Sequence, residues 1–276
     1  MGRWEVRMRS GAKGLSRAVL GPVLHTVAAL AIVVVLWQAF VSFSSVSEFV
    51  AKGPLDVVDH LFTGPDAAAH RAELFPLTWV TLRDAALGFL AGMAIAVVAA
   101  VLFNLSRTVE AGVMPLALLL RSIPLVAIAP VVMLITGRAS TASVVVLGII
   151  VVLFPALAAV LFGLTQASPQ SLDLVAVYGG SRLTAIRKVS LPGALPSIFA
   201  AARVSVPGAV TGALLAEWLS TGKGIGGNIQ KFPAAARFDD LWAAVAIITV
   251  VTLVLYNLVQ LLESVALERM GMGASQ

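Results

Sequence analysis

Charged side chains are few in this chain, and those that interrupt its apolar runs are the ones with chemistry to offer: Arg121, Arg203 and Glu217. A charge at the centre of a bilayer costs about 2.5–3.5 kcal/mol even on insertion-based scales, so Arg121 and Arg203 must each be compensated. One reading is an anion-attracting pathway of Arg121, Ser122, Pro124, Arg203 and Glu217, since guanidinium binds planar and tetrahedral oxyanions well. The other is structural: pairing with a carboxylate or helix-end carbonyls, or snorkelling to the surface. Glu217 is either part of an outer gate or docking face or an interfacial carboxylate. The neighbours Arg83 and Asp84 read as an interfacial pair rather than a proton relay. His25, His60 and His70 fall at no metal-ligand spacing, and with zero cysteines there are neither disulfides nor thiolate sites. No metal, resident cofactor or catalytic group is therefore expected.

The elements that carry these residues follow from composition. Of the 276 residues, 59% are hydrophobic and 12% charged, against about 25% charged in soluble domains. Runs of roughly 20 apolar residues predict an all-α membrane protein, and they are too long for barrel strands. About six spans fit, around 23–41, 85–105, 113–135, 143–164, 197–219 and 241–262. They form one helical membrane domain over 23–262, between a basic segment 1–22 and a tail 263–276. The formal charge of +5 has no soluble basic domain behind it, which argues against nucleic acid.

Charge asymmetry sets the expected orientation. Arg3, Arg7, Arg9, Lys13 and Arg17 precede the first run, against Glu5 alone, which predicts a cytoplasmic N-terminus and an uncleaved first helix. An even number of spans returns the C-terminus to the same side. The next loop, 44–77, carries Glu48, Asp56, Asp59, Asp66 and Glu73 against Lys52 and Arg71, as an outer loop should. Segment 220–240, with TGKGIGGN, falls outside by alternation and reads as a re-entrant or surface loop. Trp37, Trp79, Trp218 and Trp242 lie near span ends, where an aromatic belt accounts for them.

Two spans have unusual interiors. Arg121, Pro124 and Pro130 interrupt the third, which must then face protein or a cavity where freed carbonyls can be satisfied. Gly88 and Gly92 in the second are spaced for close helix packing. No internal repeat is evident, which disfavours the alternative of an ion-coupled secondary carrier acting alone.

Between the fourth and fifth spans lies a polar, basic island, 168–192, which must sit outside the hydrocarbon. Ser168 and Pro169 can start a short helix, Gly179 and Gly180 break it, and Ser181 can cap a second helix that ends where Pro192 withholds a donor. Arg182, Arg187 and Lys188 either pair with an acidic partner or satisfy the positive-inside bias.

This island resembles the EAA loop of permease subunits in binding-protein-dependent ABC importers: EAA, three residues, Gly, nine residues, Ile, one residue, Leu-Pro. Asp173, Leu174 and Val175 stand at the EAA positions, Gly179 at the glycine, Val189 at the isoleucine and Leu191–Pro192 at the end. TLRDAALGF, RSIPLVAIAPVV and AEWLSTGKGIGGNI extend the resemblance to the nitrate, sulfonate and taurine branch of type I importers. The resemblance implies coupling residues Asp173, Ala176, Gly179, Gly180, Ser181, Arg182, Arg187, Val189, Leu191 and Pro192, in a multi-pass protein of a bacterial plasma membrane. It also implies a second permease copy or paralogue, two cytoplasmic ATPase subunits holding ATP and Mg, and an extracytoplasmic solute-binding protein. This chain has no GxxxxGK[ST] loop, so ATP hydrolysis is expected in the partner and the chain is not itself an enzyme. The implied cargo is a small polar solute, with nitrate, sulfonates and taurine as anionic examples, moved inward by alternating access.

Overall fold

Long apolar stretches in lipid must satisfy their backbone groups internally, and helices do so locally. The computed structural model describes residues 27–137 and 140–272, with the backbone alone at residues 117, 120 and 121; the described residues contain no strand. The basic segment 1–22 and Arg138 lie outside them. Helix α1 covers Val27–Phe43. Helix α2 (Pro54–Val58) runs into a π-turn, Asp59–Thr63, and α3 follows at Ala67–Leu105. Then come α4 (Arg107–Ser122), α5 (Leu125–Thr136), α6 (Thr141–Thr165) and α7 (Pro169–Val177). Helix α8 (Arg182–Ala185) continues through a π-turn, Ile186–Ser190, into α9 (Leu191–Gly193). Helix α10 (Leu195–Ala216) ends in a third π-turn, Glu217–Thr221, before α11 (Gly224–Asn228), α12 (Lys231–Ala234) and α13 (Phe238–Arg269).

Four of these helices are long and apolar enough to cross a membrane: α3, α6, α10 with its π-turn, and α13; α1 and α5 are apolar but shorter. The expected third span is not one helix, because Ile123 and Pro124 separate α4 from α5. Pro124 leaves the helical region with ψ 131° and caps α5. The expected second span is far longer than 85–105. At 1.5 Å per residue α3 reaches nearly 60 Å, about twice a hydrocarbon core, so its first turns rise beyond the apolar layer and absorb much of the expected outer loop. Helix α13 likewise runs past residue 262 to Arg269.

The core is made by α3, α6 and α10. Gly88 and Gly148 bring α3 and α6 almost into backbone contact, since a Cβ on Gly88 would lie 2.8 Å from the Gly148 Cα. Gly92 meets Val152 in the same way, which places the predicted small-residue face of α3 against α6. Buried Ala96, Ala100, Val152, Val160 and Ala201 fill the end of the bundle that bears α7–α9. Helix α1 presents mostly exposed apolar surface, as lipid-facing helices do, and α13 is largely half-buried with few buried residues.

At the far end from α7–α9, a belt of aromatic and charged contacts fastens α1 and residues 49–52 to α13. Trp37 stacks on Trp242 with centroids 5.6 Å apart, and their indole N–H groups donate to Lys52 O and Val50 O at 3.0 and 2.8 Å. Two of the four tryptophans near span ends are thus structural partners as well as interfacial.

Candidate coupling loop and pathway residues

The island 168–192 folds into a helical elbow. Ser168 Oγ accepts from the Ser171 N–H at 3.3 Å and Pro169 occupies the first turn, so α7 starts as its sequence dictates. The bend depends on two glycines for different reasons. Gly179 adopts φ +75°, a left-handed conformation that L-residues resist, while the space around its Cβ position is open. Gly180 donates to Val175 O at 2.8 Å, and a Cβ there would collide with the Val175 side chain and carbonyl. Ser181 Oγ then accepts from the Thr184 N–H at 3.2 Å and caps α8.

The second arm does not stop at Pro192. The Ile186–Ser190 π-turn shifts the bonding so that the Leu191 N–H donates to Ile186 O, and Ala194 donates back to Ser190 O at 2.8 Å. The helical path therefore passes Pro192 and feeds directly into α10. Ile186 and Ser190 are buried at the base of this arm. Arg182 donates from Nη1 to Leu105 O at 3.1 Å, tying the bend to the last turn of α3, where carbonyls lack intrahelical partners.

The tip points away from the bundle. Val177 and Tyr178 are 83% and 84% exposed, Leu174 and Leu183 are exposed in the same elbow, and so are Asp173, Ala176, Arg182, Arg187 and Lys188. Val189, Leu191 and Pro192 are half-buried where the arm meets the bundle. Between the elbow and α4 lies a cavity of about 1100 Å³, into which Arg107, Glu110, Asp173, Ser181 and Arg182 face.

Of the residues expected along a pathway, Arg203 and Glu217 have separate surroundings. Ser122 gives its hydroxyl to Leu119 O at 2.7 Å within its own helix, and of Arg121 only the backbone, in α4, is described. Arg203 has Glu263 of α13 at 3.1 Å, and its guanidinium lies 5.9 Å from the Tyr256 ring centroid. Glu217 sits about 20 Å further along, at the start of the π-turn that follows α10, and is fully buried. Its Oε2 accepts from Thr81 Oγ1 at 2.8 Å and from the Gly226 N–H at 2.9 Å, and the Ile225 N–H donates to Thr81 Oγ1 at 2.9 Å. Segment 220–240 is therefore not a simple surface loop: Gly224–Gly227 are buried, and α11 is pinned between α3 and α10. Arg83 and Asp84 do not pair among the described residues; Arg83 is exposed and Asp84 buried, on different faces of α3.

This architecture of apolar helices, with a basic elbow continuous with a core helix, agrees with a sequence match. Residues 88–270 match the family of the binding-protein-dependent transport system inner membrane component. The chain belongs to this family. It is 31% identical to a "Probable ABC transporter permease protein" of Haemophilus influenzae, over 82% of this chain and 89% of that one. The riboflavin transport system permease protein RibX of Chloroflexus aurantiacus is 29% identical over 88% of each chain. A putative aliphatic sulfonates transport permease protein, SsuC of Bacillus subtilis, is 25% identical over 84% of this chain and 83% of its own. The protein is thus a multi-pass permease subunit of a type I ABC importer.

Several residues of this permease escaped sequence reasoning. Thr81 and Glu263 are the partners of the two buried or half-buried charges, yet each lies tens of residues from its mate and inside an ordinary helical pattern. Gly224 could have been suspected from TGKGIGG; it takes φ +61° and leaves no room for a Cβ beside the Glu217 carboxylate. His60, His70 and Asp240, unrelated by spacing, meet at the far end with their nitrogen and oxygen ligand atoms all within 4.8 Å. Arg237, beside them, is held above its ordinary pKa first by its hydrogen bonds to Glu73 and then by those to Asp240.

Proposed function

We propose that this permease is the passive membrane half of an importer whose motor is a separate ATPase, with the 168–192 elbow as the joint between them. The observation that carries this reading is the elbow's build: an exposed apolar and basic tip on a base fixed by buried Ile186 and Ser190 and by the Arg182–Leu105 bond. Inverting a two-state population from 1:99 to 99:1 takes about 5.5 kcal/mol, so the joint must pass several kcal/mol without yielding. Because the second arm runs without a break into α10, and Arg182 is tied to α3, a push on the tip reaches two core helices at once.

The elbow faces the cytoplasm in this reading, together with both termini. The basic residues at 182, 187 and 188 and the acidic far-end loop support that orientation. A second permease copy or paralogue covers the exposed apolar faces of α4 and α5, including Leu116, Leu119, Leu134 and Ile135. An extracytoplasmic binding protein delivers a small polar solute at the far end. Arg203 is spent on Glu263, so attraction of an anion such as nitrate, a sulfonate or taurine falls to Arg121.

The test is uptake in liposomes. Solute should enter only when the ATPase, ATP and the binding protein are present, and an ionophore should leave the rate unchanged. Uptake by the permease alone, collapsed by an ionophore, would return the ion-coupled carrier.

A further inference from the structure

Outside the elbow and the buried charges, the far end holds a second cluster that the transport reading does not use. His60 lies in the π-turn after α2, His70 in the first turns of α3 and Asp240 in the first turn of α13. His60 Nε2 is 2.9 Å and His70 Nδ1 3.6 Å from the same oxygen, Asp240 Oδ1. Two imidazoles and a carboxylate converging on one point are a donor set suited to zinc and similar borderline divalent ions.

We infer that His60, His70 and Asp240 form a binding site for a divalent transition-metal ion of the zinc type, which clamps the π-turn after α2 to α3 and α13. Four-coordinate zinc with bonds near 2.0–2.1 Å holds its ligand atoms about 3.3 Å apart, and the two measured separations straddle that value. The supporting shell is present. Arg237 Nε holds the other carboxylate oxygen, Oδ2, at 2.7 Å, which leaves Oδ1 to face the histidines. Arg237 in turn donates to both Glu73 oxygens at 2.9 and 2.7 Å, so its own charge is balanced before an ion arrives. Asp240 and His60 are only 5% and 11% exposed, whereas His70 is 31% exposed, so the ion enters past His70. The rings stack with centroids 3.7 Å apart and planes 29° from parallel. Binding therefore requires the His70 ring to turn until its Nδ1 lone pair meets the ion, a motion its exposure permits. The fourth position is left to water.

The competing account is a purely hydrogen-bonded fastener in which His60 donates to Asp240. Chelator-stripped, tag-free permease in detergent distinguishes them by titration with Co²⁺. The site should give the visible absorption of four-coordinate cobalt at one ion per chain, and Zn²⁺ should abolish that absorption by displacement. His70→Ala, at a half-exposed position, should weaken Zn²⁺ binding at least about tenfold, and His60→Ala likewise, while His25→Ala leaves it unchanged. The proposal is overturned if Co²⁺ and Zn²⁺ fail to bind saturably, or if binding is as strong in a His60→Ala/His70→Ala double variant that elutes as a folded species. Loss of binding in His25→Ala would overturn it equally. Uptake activity is not part of the readout, so this test is independent of the transport reading.

Discussion

Arg203 and Glu263 face one another across α10 and α13, with guanidinium Nη1 3.1 Å from carboxylate Oε2. Neither Arg203 Nε nor Glu263 Oε2 completes an aligned hydrogen bond, so the attraction is mainly coulombic. Removing one partner strands the other in an apolar layer. Arg203→Leu alone should destabilise the permease by about 2 kcal/mol or more, somewhat below the ~3–5 kcal/mol of a fully buried pair. The double variant Arg203→Leu/Glu263→Leu should recover most of that loss in a thermal melt. If the pair is structural, transport recovers with stability; a stable double variant that no longer transports would assign Arg203 to the solute path.

The elbow glycines separate two kinds of constraint. Gly179→Ala meets open space and should cost about 1–2 kcal/mol locally, from its left-handed backbone alone. Gly180→Val drives a side chain into Val175 and its carbonyl, so the bend must open. Copurification with the ATPase should therefore fall much further for Gly180→Val than for Gly179→Ala. The reverse order would mean that the close packing of the bend is irrelevant to docking.

At the far end, Thr81 and Glu217 form one unit with the Ile225 and Gly226 amides. Thr81→Val should cost about 1–3 kcal/mol by leaving buried polar groups unpaired. A cycle with Glu217→Gln should show coupling of at least about 0.5 kcal/mol. Simple additivity in the melting free energies would contradict the network.

The class of fold was legible because apolar run length and the scarcity of charge leave helices as the economical solution. The elbow was legible because its caps, Ser168 and Ser181, and its glycines act through neighbours only a few residues away. Its far boundary was not, since Pro192 ends a helix by local rules and only the Ile186–Ser190 π-turn carries the path past it. The third span was less legible for a similar reason: Pro124 read as one of three interruptions within a single span, whereas it separates two helices. Arg203 was read as a charge that must be compensated and Glu217 as a gate, docking or interfacial carboxylate, but their partners, Glu263 and Thr81, are fixed by tertiary packing. The histidines met because three elements converge, which no spacing along the chain encodes.

The joint itself can be tested most directly through the absence of cysteine from the chain. Val177→Cys at the elbow tip and Leu55→Cys in α2 are exposed positions at opposite ends. Each would be labelled with a hydrophilic maleimide in the isolated permease and after assembly with the ATPase. Assembly should slow labelling sharply at Val177→Cys and leave Leu55→Cys unchanged. Equal labelling of Val177→Cys before and after assembly would show the elbow free of the motor and contradict the account.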